Sequence, residues 1–385
     1  MQIAIDARYI REKPSGIGTY VQALVERLPA AAPAARFLFW AHPLARRPLS
    51  PAPNARDVVV KPGPNSPLPV WWPARYAPFD DVDVFHSPHN MMPRRVPVPS
   101  VVTVHDVMAI ERPDLHLHGL ERLVKSTYYP QAVWRALREA TRIIAPTQDA
   151  ANRIRHLEPS ASARVRVILE AADPVFRPPA DAALARARAR VLTGSSEPYL
   201  LVVGANSATK RHADAVAAFA AVPAPWRLVL LQRQGADERL SQLARHTGVG
   251  DRIVWVPRVG RDDVVALMQA AGALVQPSVY EGFGLPVIEA MACGCPVVSS
   301  DIPVFREVTG GHALFARPMD VVSLGAALQT MTGSATLRSD LAAAGLARAG
   351  ELSWDRCAVE TLDVYREAEA ARRPYSDARS RERSA

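Results

Sequence analysis

The 385-residue chain predicts an α/β fold built from two doubly wound parallel sheets, each covered by helices on both faces. Three observations predict it. Short apolar runs of strand length alternate with amphipathic runs of helical length, the pattern of parallel strands joined by helical crossovers. That alternation occurs twice, with a Pro- and Ala-rich stretch between the two series. The length is also too great for one ordinary core and suits two domains of about 150–200 residues.

The first series opens on the strand QIAIDARYI, followed by the turn-rich loop REKPSGIG and the amphipathic helix TYVQALVERL. FLFWAH, DVVVK, DVDVFHS, SVVTVHD and TRIIAPT read as strands, with helical patterns such as LERLVKSTYYPQAVWRALREA between some of them. The second series pairs YLLVVGA with the helix RHADAVAAFAAV, RLVLLQ with ADERLSQLARHTG, and RIVWVP with RDDVVALMQAAG. It continues with the strand GALVQPS, the helix LPVIEAMACG, the strand PVVSS and the helix DVVSLGAALQTM. Between the series, the Pro- and Ala-rich residues 173–196 read as a linker or hinge. The expected domains are therefore 1–172 and 197–350, followed by a closing helix over 351–372 and a polar, disordered tail over 373–385.

Composition narrows the class. With 49% hydrophobic and 22% charged residues the chain reads as globular and soluble. No apolar run reaches the roughly 18–20 residues of a membrane span. MQIAIDARYI lacks the basic start and long apolar core of a secretory signal. Cys293, Cys295 and Cys357 fit neither a disulfide framework nor a zinc knuckle, so a cytoplasmic setting is expected. The net charge of +8 is uneven, because residues 1–172 carry 22 Lys/Arg against 15 Asp/Glu. A basic first half suits an anionic partner: nucleic acid, a phosphorylated substrate or an anionic membrane surface. A solvated, arginine-rich surface accounts for it equally well. The arginines are scattered without interleaved aromatics, which leaves nucleic acid the least favoured partner.

Ligands of open parallel sheets bind at the carboxyl ends of the strands, so the cleft between the two expected domains is the expected site. In GALVQPSVYEGFGLPVIEAMACG the strand ends near Gln276, the loop runs from Pro277 to Gly284, and a helix starts at Leu285 with Pro286 in its first turn. Gly294 stops that helix. The helix N-terminus offers unpaired N–H groups and a positive dipole end, suited to phosphate. Gly282 and Gly284 let a ligand approach the backbone. The carboxylates of Glu281 and Glu289 suit sugar hydroxyls, since each accepts two hydrogen bonds. One pocket with both features is built for a nucleotide sugar. Glu289 on its own could be a surface residue, but its neighbours Ile288, Ala290 and Met291 favour a buried, partnered carboxylate.

Further candidates lie at other strand ends. Lys210 stands six residues beyond Gly204, which ends a strand. Gly16 and Gly18 precede a helix expected near Thr19, another anion-ready terminus. The G-I-G there lacks the third glycine of a dinucleotide fingerprint, and FLFWAH ends in His42 rather than an acid, which argues against NAD. His105 and Asp106 end the strand VVTV and should point into the cleft. His86, His89, His105, His116 and His118 invite a zinc reading, but no matching Cys or Glu cluster accompanies them and no metal site is assigned. Trp71 and Trp72 suit an acceptor sugar, a membrane interface or a core equally.

The block E-G-F-G-L-P-V-I-E-A-M-A-C-G, with its E-x7-E spacing, resembles the signature of family 4 retaining glycosyltransferases of the GT-B fold. PSGIGTYVQAL, VFHSPHNMMP, TVHDVMAI, RVILEAADPVFRP, VVGANSATKRHADAVAAF and LSWDRCAVETLDVYREA resemble further segments of that family, in order and over nearly the whole chain. The resemblance implies that the first domain binds the acceptor, the second binds the nucleotide sugar, and the closing helix crosses back to the first. It implies that Glu289 binds the donor ribose and that Glu281, with backbone at Gly282, Phe283, Gly284 and Leu285, holds sugar hydroxyls. Gly16, Gly18, Gly204 and Lys210 would meet the diphosphate, His105 the donor sugar, and Pro257 and Arg258 the base. Family members often carry Arg-Lys-Asn where this chain has Thr209-Lys210-Arg211, which leaves open whether Arg211 supplies the second positive charge. His105, Lys210 and Glu281 are the implied catalytic residues, and no cofactor or metal is implied. GIGTY near the start and HD at a strand end resemble the short mannosyl- and rhamnosyltransferases of bacterial surface polysaccharide synthesis, and the reaction implied is transfer of a hexose or deoxyhexose to a hydroxyl of a glycan or lipid-linked acceptor, with retention and by a front-face route. GDP-mannose is the first choice of donor among GDP-, UDP-, dTDP- and ADP-sugars. A phosphorylase of the same fold and a non-catalytic nucleotide-sugar-binding module are the rival readings. A lipid-linked acceptor at the inner membrane face would suit the basic first half.

Overall fold

A computed structural model describes residues 1–11, 15–64, 66, 79–116, 121–232 and 237–371. Trp71, Trp72, His118 and the expected tail lie outside the described residues. The chain divides into two compact units, one of residues 1–170 together with the stretch from Ser353 onward, the other of residues 171–352.

In the first unit seven strands pair in the order β3-β2-β1-β4-β5-β6-β7. They are β1 (Gln2–Ile5), β2 (Arg36–Ala41), β3 (Ala55–Val59), β4 (Val84–Ser87), β5 (Ser100–Thr103), β6 (Arg142–Ala145) and β7 (Val165–Val167). Every pairing is parallel, with Ile3 opposite both Phe37 and Val84. Ile3, Ile5, Val84, Phe85, Val101 and Val102 of the central strands have no solvent exposure, as a sheet buried on both faces requires. Helix Gly16–Ala31 buries Tyr20, Val21, Leu24, Val25 and Leu28, one stripe at helical spacing. Helix Trp354–Ala370, capped by Ser353, lays Trp354, Cys357, Leu362 and Tyr365 against it and against the sheet.

The second unit has six parallel strands in the order β10-β9-β8-β11-β12-β13. These are β8 (Tyr199–Val203), β9 (Arg227–Leu231), β10 (Ile253–Val256), β11 (Ala273–Gln276), β12 (Val297–Ser300) and β13 (Leu314–Ala316). In each sheet the chain first winds one way and then the other, reversing beside β1 in the first unit and beside β8 in the second. Crevices at such reversals are where doubly wound sheets take ligands.

The expected linker over 173–196 is a correction. Residues 182–193 form a helix capped by Asp181 and closed by Gly194, and they belong to the second unit. The helix buries Ala185 and Ala189 against helix Arg261–Ala270, where Arg188 Nε also meets Asp263 Oδ1 at 2.7 Å, and Arg261 of the second helix pairs with Asp173, ahead of the first, at 2.8 Å. Alanine and arginine are strong helix formers, so the composition that reads as a flexible joint is that of a helix with a narrow alanine seam. The unit boundaries accordingly fall at 170/171 and 352/353. Strands β7 and β13, three residues each, were not among the expected strands because so short a run carries no alternation.

Candidate active site

In the second unit the loops after β8 and β11 meet at the reversal point. Gly204 leaves β8 with φ +129°, and the chain turns back so that the Lys210 N–H donates to Ser207 O at 3.1 Å. Val279 N donates to Thr209 O at 2.9 Å, which ties the two loops together. Lys210 Nζ then lies 2.5 Å from Glu281 Oε1, and the same oxygen accepts from Gln276 Nε2 at 3.3 Å. The lysine side chain is 23% exposed and the glutamate 11%, so the pair remains open to a ligand. An ammonium has three donors, and one carboxylate oxygen does not exhaust it.

Glu281 opens the turn that starts helix Leu285–Ala292. Gly284 stands at its cap with φ +91°, and an added Cβ there would meet the Phe305 ring at 2.7 Å. Both constraints demand glycine. No side chain caps this helix; Pro286 carries no N–H and the Val287 N–H donates to Gly284 O at 2.9 Å, so the terminus offers an acceptor chiefly the Leu285 N–H and the positive dipole end. Phe283 is buried beneath the turn, Leu285 is half-buried, and Glu289 lies half-buried one turn into the helix. Burial, and then the Glu289 charge, push the Cys293 thiol up to about 12.

Arg211 adopts a left-handed φ of +53° and grips the buried Asp214 with two 2.8 Å bonds, so its charge is committed to its own helix. His212 beside it is pushed down to about 4 by burial and by the Lys210 charge, and its Nδ1 bonds to Gln232 Nε2 at 3.0 Å. Pro257 and Arg258 are exposed and follow β10, two strands away from β8. Lys210 and Glu281 are thus brought together, and Gln276 and Thr209 support them although sequence reasoning missed both.

In the first unit the polar residues gather at the ends of β1, β4 and β5. Asp6 and Arg8 form a fully buried pair, with Nε to Oδ1 at 2.7 Å and Nη2 to Oδ2 at 2.5 Å. His89 Nε2 adds a contact to Asp6 Oδ2 at 3.2 Å, and Arg8 Nη1 donates to the carbonyl of Pro62 at 2.9 Å. Burial raises the Asp6 carboxyl, but the guanidinium beside it outweighs this and holds it below the usual carboxylate range. His86 bridges Tyr365 Oη at 2.7 Å and Thr103 Oγ1 at 2.9 Å, and Tyr20 Oη bonds the same threonine at 3.0 Å. Burial first, then neighbouring histidines, push His86 down to about 3.

His105 is fixed on three sides. Its N–H donates to Asn90 Oδ1 at 2.8 Å, its Nδ1 faces Glu170 Oε1 at 3.1 Å, and its Nε2 faces Pro88 O at 3.1 Å. The Tyr20 ring stands edge-on at 4.9 Å. Burial pulls its pKa down, yet the bond to Glu170 and its charge outweigh this and raise the group. The ring nitrogens that a sugar contact would use are both engaged within the unit. Gly16 and Gly18 sit inside the first turn rather than before it, because Ser15 caps the helix three residues earlier than expected. Gly18 N donates to Ser15 Oγ at 3.0 Å, so that N–H is not available to an anion. An added Cβ on Gly18 would lie 2.8 Å from Tyr9 O, which makes the glycine a packing requirement. Asp6, Arg8 and Glu170 were not among the expected residues. The only sequence signal for the first two is a D-x-R placed directly after an apolar strand.

Comparison with known proteins supplies an independent reading. A family model described as Glycosyltransferase Family 4 matches residues 14–175, and one described as Glycosyl transferases group 1 matches residues 185–346. The O-antigen chain mannosyltransferase B of Escherichia coli is 29% identical over 293 residues, which are 74% of this chain and 74% of that protein. Sucrose-phosphate synthase from Thermosynechococcus elongatus superposes with a TM-score of 0.77 at 22% identity, covering 96% of this chain and 99% of its own. Anabaena HepE in complex with UDP and glucose superposes with a TM-score of 0.69 at 17% identity, over 94% and 99% of the two chains. These structural likenesses give the fold, GT-B with two Rossmann-like parallel sheets.

Proposed function

The chain belongs to glycosyltransferase family 4, and from the chemistry of its strand-end loops we propose that it moves mannose from GDP-mannose to a hydroxyl of a glycan or lipid-linked acceptor, with retention at the anomeric carbon. The observation that carries the donor assignment is the Lys210–Glu281 pair at the β8/β11 reversal, beside the uncapped start of helix Leu285–Ala292. A diphosphate entering there meets an ammonium and the positive end of a helix. It displaces Glu281 from Lys210 and frees that carboxylate to accept sugar hydroxyls. Glu289, further along the same helix, is assigned to the ribose. Arg211 is spent on Asp214, which leaves Lys210 with the helix end as the main counter-charge.

In the proposed step the bond from C1 to the β-phosphate oxygen breaks while the acceptor oxygen bonds C1 on the same face. The acceptor's proton passes to the departing phosphate oxygen, and no metal or cofactor takes part. A double displacement would need a free carboxylate nucleophile. Asp6 and Glu170, the carboxylates buried at the strand ends of the first unit, are engaged with Arg8 and His105, which supports the front-face route. Catalysis then rests on positioning and on stabilising charge at the β-phosphate.

Mannose is favoured by the likeness to an O-antigen chain mannosyltransferase. HepE, seen with UDP and glucose, makes a UDP-sugar the second reading. The first unit would take the acceptor, and its basic balance suits an anionic or membrane-borne one, although no helix among the described residues is long and apolar enough to cross a membrane. A calorimetric panel of GDP-, UDP-, dTDP- and ADP-sugars tests the donor. The anomeric configuration of the product tests retention.

A further inference from the structure

Two acceptors face the His105 ring. Nδ1 points at a carboxylate oxygen of Glu170 and Nε2 at the backbone carbonyl of Pro88, both at 3.1 Å. A neutral imidazole carries one N–H and one lone pair, so in the neutral state one ring nitrogen would set its lone pair against another lone pair. Only the imidazolium donates to both. The Glu170 side chain is 4% exposed and that of His105 11%, so water cannot relieve the mismatch cheaply.

We propose that Glu170 is a positioning residue that keeps His105 as a fixed imidazolium at the strand ends of the first unit, so that the ring has no free lone pair with which to serve as a general base. The other groups around the ring leave this assignment intact. Asp106, next in the chain, adds a charge that favours the protonated ring. Tyr20, edge-on from helix Gly16–Ala31, is held neutral by burial. Cys357, from helix Trp354–Ala370, senses the Glu170 charge and is likewise held neutral. His86, whose positive charge would oppose it, is pushed down to about 3 and stays neutral. Raised titration of His105 agrees with the geometry. Because Glu170 is the last residue of the first unit, its side chain and its partner's ring lie in one compact body.

The test uses Glu170→Gln and Glu170→Asp in the full chain. Glutamine keeps the shape but can donate to Nδ1, so the ring no longer needs its second proton. NMR titration of the His105 ring should give a pKa above 6.5 in the wild type, a value below 6.5 in Glu170→Gln, and a partial recovery in Glu170→Asp. The proposed transfer activity should follow: each unit of lowered pKa moves the alkaline fall of kcat/KM one pH unit lower and costs about tenfold at a fixed pH above it. The loss should shrink as the pH falls to the variant ring's own lowered pKa. A wild-type ring titrating below 6.5, or identical titrations in wild type and Glu170→Gln, overturns the proposal. So do identical pH profiles in an active enzyme. The kinetic arm rests on the glycosyltransfer reading and the NMR arm does not, so absence of turnover with every donor counts against that reading alone.

Discussion

Replacing Lys210 with alanine separates the chemical role of the ammonium from its structural one. An ammonium about 4 Å from a phosphate charge interacts by about 4 kcal/mol at an effective dielectric of about 20. Part of that is already present in the bound ground state. The share that grows as the β-phosphate departs should match the loss of a preorganised charge donor, roughly 10²–10³ in kcat. The structural cost is smaller. Lys210 is 23% exposed, and its loss leaves Glu281 with Gln276 as its hydrogen-bond donor and partial access to water. An exposed pair contributes about 0–1 kcal/mol and a buried one broken on one side costs about 3–5, so about 1–2 kcal/mol is expected here. Initial rates of nucleoside diphosphate release, measured beside a urea titration, resolve the two effects. A kcat within threefold of wild type in a folded Lys210→Ala protein would refute the reasoning. An equal loss for Arg211→Ala, with Asp214 intact, would show that the second cation is not committed to its helix.

Other changes test the surrounding frame. Gly284→Ala should lower stability by about 1–3 kcal/mol through its left-handed backbone and its 2.7 Å approach to Phe305, and should weaken donor binding by displacing the helix start; an unchanged melting temperature and unchanged calorimetric affinity would contradict this. Tyr365→Phe removes the partner of His86 Nδ1 at 2.7 Å and should cost about 1–3 kcal/mol in urea unfolding, with no loss if the closing helix is held by its apolar face alone. The histidines divide by sign. His105 has a raised native pKa, so its contribution is complete below pH 6.5 and is lost as pH rises through the raised value. His212 is lowered to about 4, so its contribution is complete above 6.5 and fades as pH falls toward 4. Urea midpoints against pH should lose their alkaline decline in His105→Asn and part of their acid decline in His212→Leu.

Much of the frame was legible in the chain. The run ending at Gln276, the break through Gly282 and Gly284, and the helix from Leu285 coincide with the structure, because strand and helix periodicities and glycine punctuation are local signals. Where local signals were weak or ambiguous, the reading failed. Residues 182–193 read as a joint because their alanine seam finds a partner 75 positions away, as Arg188 and Asp263 do. The sequence places the helix start at Thr19 rather than Gly16, because the capping by Ser15 depends on a bond that shows only in the folded turn.

The sequence by itself determined that there are two parallel sheets and which residues end their strands, since those follow from the alternation of apolar runs and turn residues along the chain. Which strand ends are neighbours was decided by tertiary structure alone. Lys210 meets Glu281 across 71 positions, His105 meets Glu170 across 65, and Tyr365 meets His86 across 279. Strand order sets those meetings. A pattern read along one dimension contains the faces that must be buried, but the partner that neutralises a charge is chosen by the packing that brings distant loops within hydrogen-bond reach.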